Sequence, residues 1–309
     1  MRTHFPAALG AIVATHVSAH SFVTNININN ELYNGYHPTT PDTDPGTIIG
    51  WSTTAFDQGY VNQTGYTTEE IICHRDALNA HAHARVSAGE NIHIQWNGWP
   101  NSHKGPVVDY LASCGTGTGK TCEDVDKNDL EFFKIGELGL IDGADESTGP
   151  GGVWATDLLI ANNNSWVVEI PSNIRPGYYV LRTEIISLHN ASNVTGAQNY
   201  PQCVNLWITG DGTEVYEGVK GKELYSPDEP SVFLDIYAGV LEEYDIPGPK
   251  VIGGGNTDVP ELSHPVPTEG GPVYTGTETT PVATDGVRAT GTVGRGRSRF
   301  TSVPRASRR

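Results

Sequence analysis

Residues 22–29 read Phe-Val-Thr-Asn-Ile-Asn-Ile-Asn. Apolar or β-branched residues alternate with asparagine there, a period of two that belongs to a half-buried β-strand and not to a helix. The alternation places Phe22, Thr24, Ile26 and Ile28 on one side and Asn25, Asn27 and Asn29 on the other. The same rhythm returns in Ile92, Ile94 and Trp96, in Trp166, Val168 and Ile170, and in Val204, Leu206 and Ile208. Gly, Pro, Asn and Asp fill the stretches between, and amphipathic helices are few. The pattern predicts an all-β fold, an immunoglobulin- or fibronectin-III-like β-sandwich with long loops. Loops longer than a compact domain needs commonly carry function.

The chain has 309 residues with 37% apolar, 18% charged, 36 Gly and 20 Pro, enough to bury a sizeable core and too poor in charge for a coiled coil. Its formal charge of −17 is unevenly spread. Residues 20–250 carry 31 acidic and 11 basic side chains, whereas Arg288–Arg309 holds seven Arg and no acid. So acidic a body repels nucleic acid and anionic lipid, and excludes both as partners. A neutral polysaccharide remains allowed.

Residues 1–19 combine Arg2, an apolar run over 7–15 and Val17-Ser18-Ala19, the build of a secretory signal whose removal exposes His20. The run is far shorter than the ~20 residues of a spanning helix. Four glycosylation sequons, at Asn62, Asn163, Asn190 and Asn193, agree with secretion. So does the even set Cys73, Cys114, Cys122 and Cys203, which predicts two disulfides; three pairings are open, and no Cys-x-x-Cys supports zinc. Beyond residue 250 the composition turns to Gly, Thr, Pro and Val, which predicts disorder over 251–309 with no further module.

The sequence offers several further chemical motifs. Residues 115–121, Gly-Thr-Gly-Thr-Gly-Lys-Thr, imitate a phosphate loop, but its first glycine falls at Cys114 and the acidic body opposes nucleotide, so a flexible disulfide-bounded loop is the better account. Carboxylate pairs at Glu69-Glu70, Asp228-Glu229 and Glu242-Glu243 are expected on so acidic a surface and sit in no glycosidase-like motif. His81 and His83 share one face of an extended segment, yet no third ligand is near, and they read as an exposed, non-ligating pair. His93 falls on the polar side of a strand. His20 differs, because cleavage would set its α-amino group beside its own imidazole, two nitrogens that one residue can offer to copper.

Four longer stretches then combine: residues 99–107 (Trp-Pro-Asn-Ser-His-Lys-Gly-Pro-Val), 181–189 (Leu-Arg-Thr-Glu-Ile-Ile-Ser-Leu-His), 196–203 (Gly-Ala-Gln-Asn-Tyr-Pro-Gln-Cys) and 244–249 (Tyr-Asp-Ile-Pro-Gly-Pro). With His20 they closely resemble the fungal lytic polysaccharide monooxygenases of auxiliary activity family 9, over residues 20–250. The resemblance implies one copper ion held by the amine and imidazole of His20 and by His103, with Tyr200 at the axial position. It implies His189 and Gln198 as the outer pair that orients the oxygen species, Tyr237 as a sugar-stacking ring on a flat substrate face, and disulfides joining Cys73 to Cys203 and Cys114 to Cys122. The loop after Tyr36 lacks the aromatic that many relatives place there. The implied activity is that of a secreted, monomeric enzyme oxidising cellulose or a related β-glucan at C1 or C4. Dioxygen or hydrogen peroxide is the implied co-substrate. Electrons would come from an external donor, either a small phenol, an ascorbate-like reductant or a redox protein. The competing reading is a non-catalytic copper- or carbohydrate-binding sandwich.

Overall fold

The computed structural model describes residues 21–41, 45–115, 120–144, 148–260 and 269–275. The signal segment, His20, residues 116–119 of the glycine-rich loop and the Arg-rich end lie outside these. Among the described residues fifteen strands alternate with short helices. They are β1 (Val23–Ile28), β2 (Glu31–Asn34), β3 (Ala82–Ser87), β4 (Asn91–Trp96), β5 (Val107–Ser113), β6 (Glu131–Leu138), β7 (Leu140–Asp142), β8 (Val153–Trp154), β9 (Ser165–Glu169), β10 (Gly177–Ser187), β11 (Gln198–Thr209), β12 (Val219–Lys220), β13 (Val251–Asn256), β14 (Glu269–Gly270) and β15 (Val273–Thr275). The two α-helices are α1 (Glu70–Cys73) and α2 (Ala155–Ala161).

The strands form a β-sandwich. One sheet runs β14-β2-β1-β4-β9; the larger runs β12-β6-β5-β10-β11-β3-β15, with β13 also paired to β6. Between them lies a core to which β1 and β4 bring Ile26, Ile28, Ile92, Ile94 and Trp96, while β10 and β11 bring Leu181, Ile185, Val204, Leu206 and Ile208. Each such fully buried side chain stabilises the fold by about 1.5–3 kcal/mol. The outer face of the larger sheet is buried as well. Val108, Tyr110, Ala112, Val180, Ile186 and Cys203 pack there under the loops that supply Trp51, Tyr66, Ile72, Leu224, Tyr225 and Ile236. Two disulfides hold that cover, Cys73 to Cys203 and Cys114 to Cys122.

Three sequence expectations need correction. The register of β1 on β4 shifts between Val23 and Asn25, so Val23 enters the core with Ile26 and Ile28. Thr24 instead donates its hydroxyl to Gln95 O at 3.2 Å, and Phe22 packs edge-on against His37 at 4.6 Å. One extra residue in a strand reverses every side chain before it. Secondly, His83 is not exposed. It is fully buried, Nε2 accepts the Cys122 N–H at 3.1 Å, and Nδ1 lies 3.2 Å from Tyr274 O, which it can reach only as donor. His81 alone of that pair faces solvent. Thirdly, the chain does not lose order at 251. β13 joins β6, β14 joins β2 and β15 joins β3, with Val273 and Tyr274 buried. Sheet edges offered by the body give this poor strand former the partners its composition cannot supply. Residues 261–268 and 276–309 lie outside the described part.

Candidate metal and substrate site

The site is built at one end of β10 and β11. Gln198 and Tyr200 are two residues apart on β11 and share its core-facing side. Ser187, at the end of β10, is directly opposite Gln198, and Ile185 is opposite Tyr200. His189 follows two residues after Ser187, whose hydroxyl meets its Nδ1 at 2.7 Å.

His103 comes from the loop between β4 and β5, and that loop is clamped on both flanks. Leu188 N–H donates to Lys104 O at 2.8 Å and Ile186 N–H to Pro106 O at 3.0 Å, fastening it to the end of β10. Gly105 N–H donates to Thr156 Oγ1 at 3.1 Å, fastening it to α2. A Cβ at Gly105 would sit 1.8 Å from Ile186 O, so the close approach requires glycine. Inside the loop, His103 N–H donates to Pro100 O at 2.9 Å, Trp99 Nε1 to His103 O at 2.8 Å, and Ser102 Oγ lies 3.0 Å from His103 Nδ1.

These supports bring the predicted residues into one closed ring of contacts. The imidazoles of His103 and His189 stack with centroids 3.8 Å apart and planes 26° apart. His189 leads to Ser187, Ser187 to Gln198 across the strands, and Tyr200 donates its phenol proton to Gln198 Oε1 at 2.9 Å. Trp99 closes the ring, edge-on to Tyr200 at 5.0 Å and to His103 at 6.0 Å. Burial pushes the Tyr200 phenol well above its ordinary range and lowers His189, so the phenol keeps its proton and the imidazole is neutral near pH 7.

The residues that follow His20 in the chain are held by hydrogen bonds. Buried Ser21 donates its hydroxyl to Asn97 Oδ1 at 2.7 Å, and Phe22 N–H donates to the same oxygen at 3.0 Å. Val23 N–H reaches Gln202 Oε1 at 3.3 Å, on the strand that carries Tyr200. Among the described residues no three His, Cys, Asp or Glu side chains gather to hold a metal. The His103 imidazole, fixed by Trp99 and Ser102, is a nitrogen donor of the kind that suits a borderline cation such as copper.

A sequence profile of Auxiliary Activity family 9 (formerly GH61) matches residues 20–244. The chain belongs to this family. The family 9 chain is 50% identical over 256 residues to an AA9 family lytic polysaccharide monooxygenase A of Malbranchea cinnamomea, covering 81% of this chain and 73% of that protein. It is 50% identical over 242 residues to monooxygenase G of Emericella nidulans, covering 77% and 86%. The extended catalytic domain of H. jecorina LPMO9A superposes with a TM-score of 0.73 at 46% identity, over 79% of this chain and 96% of that one. This family 9 member is accordingly a lytic polysaccharide monooxygenase, an oxidoreductase whose class takes a polysaccharide and an external reductant.

The other candidates take no part in this ring. Glu69 is a surface carboxylate paired with Lys127 at 3.0 Å, and Glu70, Asp228, Glu242 and Glu243 are exposed. His74 is buried, donating from Nε2 to Gly59 O at 2.9 Å and accepting Arg75 N–H on Nδ1 at 2.9 Å. Sequence reasoning missed Trp99 and Ser187 as the joints of the ring. It also missed the group behind it on the outer face of the sheet. There Arg182 grips Glu184 with two nitrogens, at 2.7 and 2.9 Å, and reaches Ile71 O and Ile72 O, each at 2.8 Å. Tyr225 donates to the same carboxylate. Asn199, between Gln198 and Tyr200, donates to Glu184 Oε1 at 2.9 Å and accepts from Tyr66 at 2.7 Å. Two opposite charges at alternate positions of an otherwise apolar strand were the signal for it.

Proposed function

We propose that this chain is a secreted, copper-dependent monooxygenase that cleaves cellulose or a related β-1,4-glucan by oxidation at C1, C4 or both. The observation that carries this reading is the closed contact ring of His103, His189, Ser187, Gln198, Tyr200 and Trp99. A store for metal needs ligands alone and has no use for the paired His189 and Gln198.

In this reading the amine and imidazole of His20 and the imidazole of His103 would hold the ion, with Tyr200 as the further candidate ligand. A copper ion bound there supplies one-electron redox chemistry with dioxygen or hydrogen peroxide, fed by an external reductant such as a small phenol, an ascorbate-like molecule or a redox protein. The chain's own groups do the rest. Tyr200, protonated by burial, occupies Gln198 Oε1 and so leaves the amide nitrogen as the donating end of that side chain. His189 is steered by Ser187 and kept neutral, so it can hold one proton at one ring nitrogen beside His103. Tyr237, 41% exposed, donates to Ser102 O at 3.2 Å and presents its ring beside the ligand loop, where a sugar face can stack.

The test is to load protein beginning at His20 with copper, add reductant and swollen cellulose, and record soluble products by mass spectrometry. Aldonic-acid or C4-ketone oligosaccharides are expected, and they also fix the regiochemistry. His103→Ala is expected to abolish them and to weaken copper binding at least tenfold; oxidised products at the normal rate from this variant would overturn the assignment. A Met placed before His20 converts the chelating amine to an amide. Titration should therefore give this form a markedly lower copper affinity, and equal affinity would remove His20 from the ligand set.

A further inference from the structure

We propose that Gly151 and Lys104 form a bed that holds the Tyr237 ring in its exposed pose and registers it against the His103 loop. The inference rests on the reading of Tyr237 as a sugar contact. Gly151 has φ +83°, and a Cβ placed on it would lie 2.8 Å from Tyr237 Cε1, 3.1 Å from Cδ1 and 3.3 Å from Lys104 Cδ. The tyrosine ring thus rests on bare backbone, with the lysine stem beside it, and no other residue type leaves that space.

The bed is fixed from below. Trp154 Nε1 donates to Gly151 O at 2.6 Å, and Lys104 Nζ donates to Gly152 O at 2.7 Å and pairs with Asp157 at 3.1 Å. Asp157 also accepts the Trp154 N–H at 2.8 Å, at the start of α2. From above, the Tyr237 hydroxyl reaches Ser102 O and its N–H is held by Asp235 Oδ1 at 2.9 Å. Ser102 and Lys104 flank His103 in sequence. The ring is therefore tied through its hydroxyl to Ser102, and the Gly151 backbone under it lies against the stem of Lys104; these two residues stand on either side of His103. A glucan chain lying on Tyr237 inherits that register, so Gly151 and Lys104 act as positioning residues for substrate.

The test is a double-mutant cycle read by depletion of copper-loaded, unreduced protein from a cellulose suspension. Tyr237→Ala is expected to weaken adsorption about fivefold, the scale of one lost stacking contact. Gly151→Ala should lose a similar factor by displacing the ring, and the double variant should bind no worse than Tyr237→Ala. Gly151→Asn tolerates a positive φ better than alanine does yet still carries a Cβ, so it repeats the experiment with less backbone strain. Wild-type adsorption by both Gly151 variants, or a double variant losing the product of the two factors, would overturn the bed. Wild-type adsorption by Tyr237→Ala would instead overturn the sugar-contact reading on which it rests.

Discussion

At the scale of single residues, protons are placed by burial more than by neighbouring charge. His74 and His83 are both lowered to about 4, chiefly by desolvation. Each is neutral in the fold while the unfolded chain binds a proton below about 6.5. Their contribution is therefore complete above pH 6.5 and is lost as pH falls toward 4, on the order of 3 kcal/mol apiece. Asp109, raised to about 7 by burial, runs the other way; its carboxyl holds its proton in the fold below about pH 7, and its contribution declines as pH rises from 3.8 to 7. His83→Gln should be less stable than wild type at pH 7 and lose less stability between pH 6.5 and 4, as urea melts at both pH values would record. An unchanged slope would mean that His83 is not buried neutral. Tyr200→Phe removes the phenol that occupies Gln198 Oε1, and a cost of about 1 kcal/mol is expected together with a slower reaction. Motif stretches made His103, His189, Gln198 and Tyr200 legible, because each stands in a run of distinctive neighbours. Trp99 and Ser187 were not, since their work is to touch residues distant in the chain.

At the scale of elements, β11 was read well on one face only. Val204, Leu206 and Ile208 alternate as a half-buried strand should, and they do enter the core. On the opposite face Cys203 and Asn205 are buried too, beneath loops whose long irregular sequences carry no periodicity to announce it, while Trp207 stays half-buried. Glu184 shows the consequence. Sealed under that cover and bound by Arg182, Tyr225 and Asn199, it cannot be neutralised without stranding a buried cation. Glu184→Gln is expected to cost about 3–5 kcal/mol, measured by denaturant unfolding. The segment after residue 250 is the opposite case, in which weak local propensity is overruled by partners. Lys134 Nζ donates to Pro247 O at 2.8 Å just before β13 joins β6, and Tyr274 packs edge-on to Trp207 at 5.0 Å. Ending the chain at residue 250 uncovers β2, β3 and β6 together and should lower the melting temperature by several degrees. Calorimetry of the truncated and full chains decides this.

At the scale of the whole molecule, the sandwich, its edges and the site form one mechanical unit. The Cys73–Cys203 disulfide closes 130 residues of chain and joins the cover over the outer face to the strand that carries Tyr200. Replacing both cysteines by Ser is expected to cost up to about 4–5 kcal/mol if the unfolded chain is free. Among the described residues no helix is long and apolar enough to cross a membrane. The last described strand, β15, also decides where any cargo fused behind it would hang. Val273 pairs with Ala84, and Ala84 pairs with Leu206, six residues along β11 from Tyr200 and so about 20 Å from it. A carbohydrate-binding module fused behind Thr275 would swing on a leash whose pivot stands that far from the candidate site. A leash shorter than about six extended residues could not bring it level with the reacting chain, and a longer one would let it graze ahead.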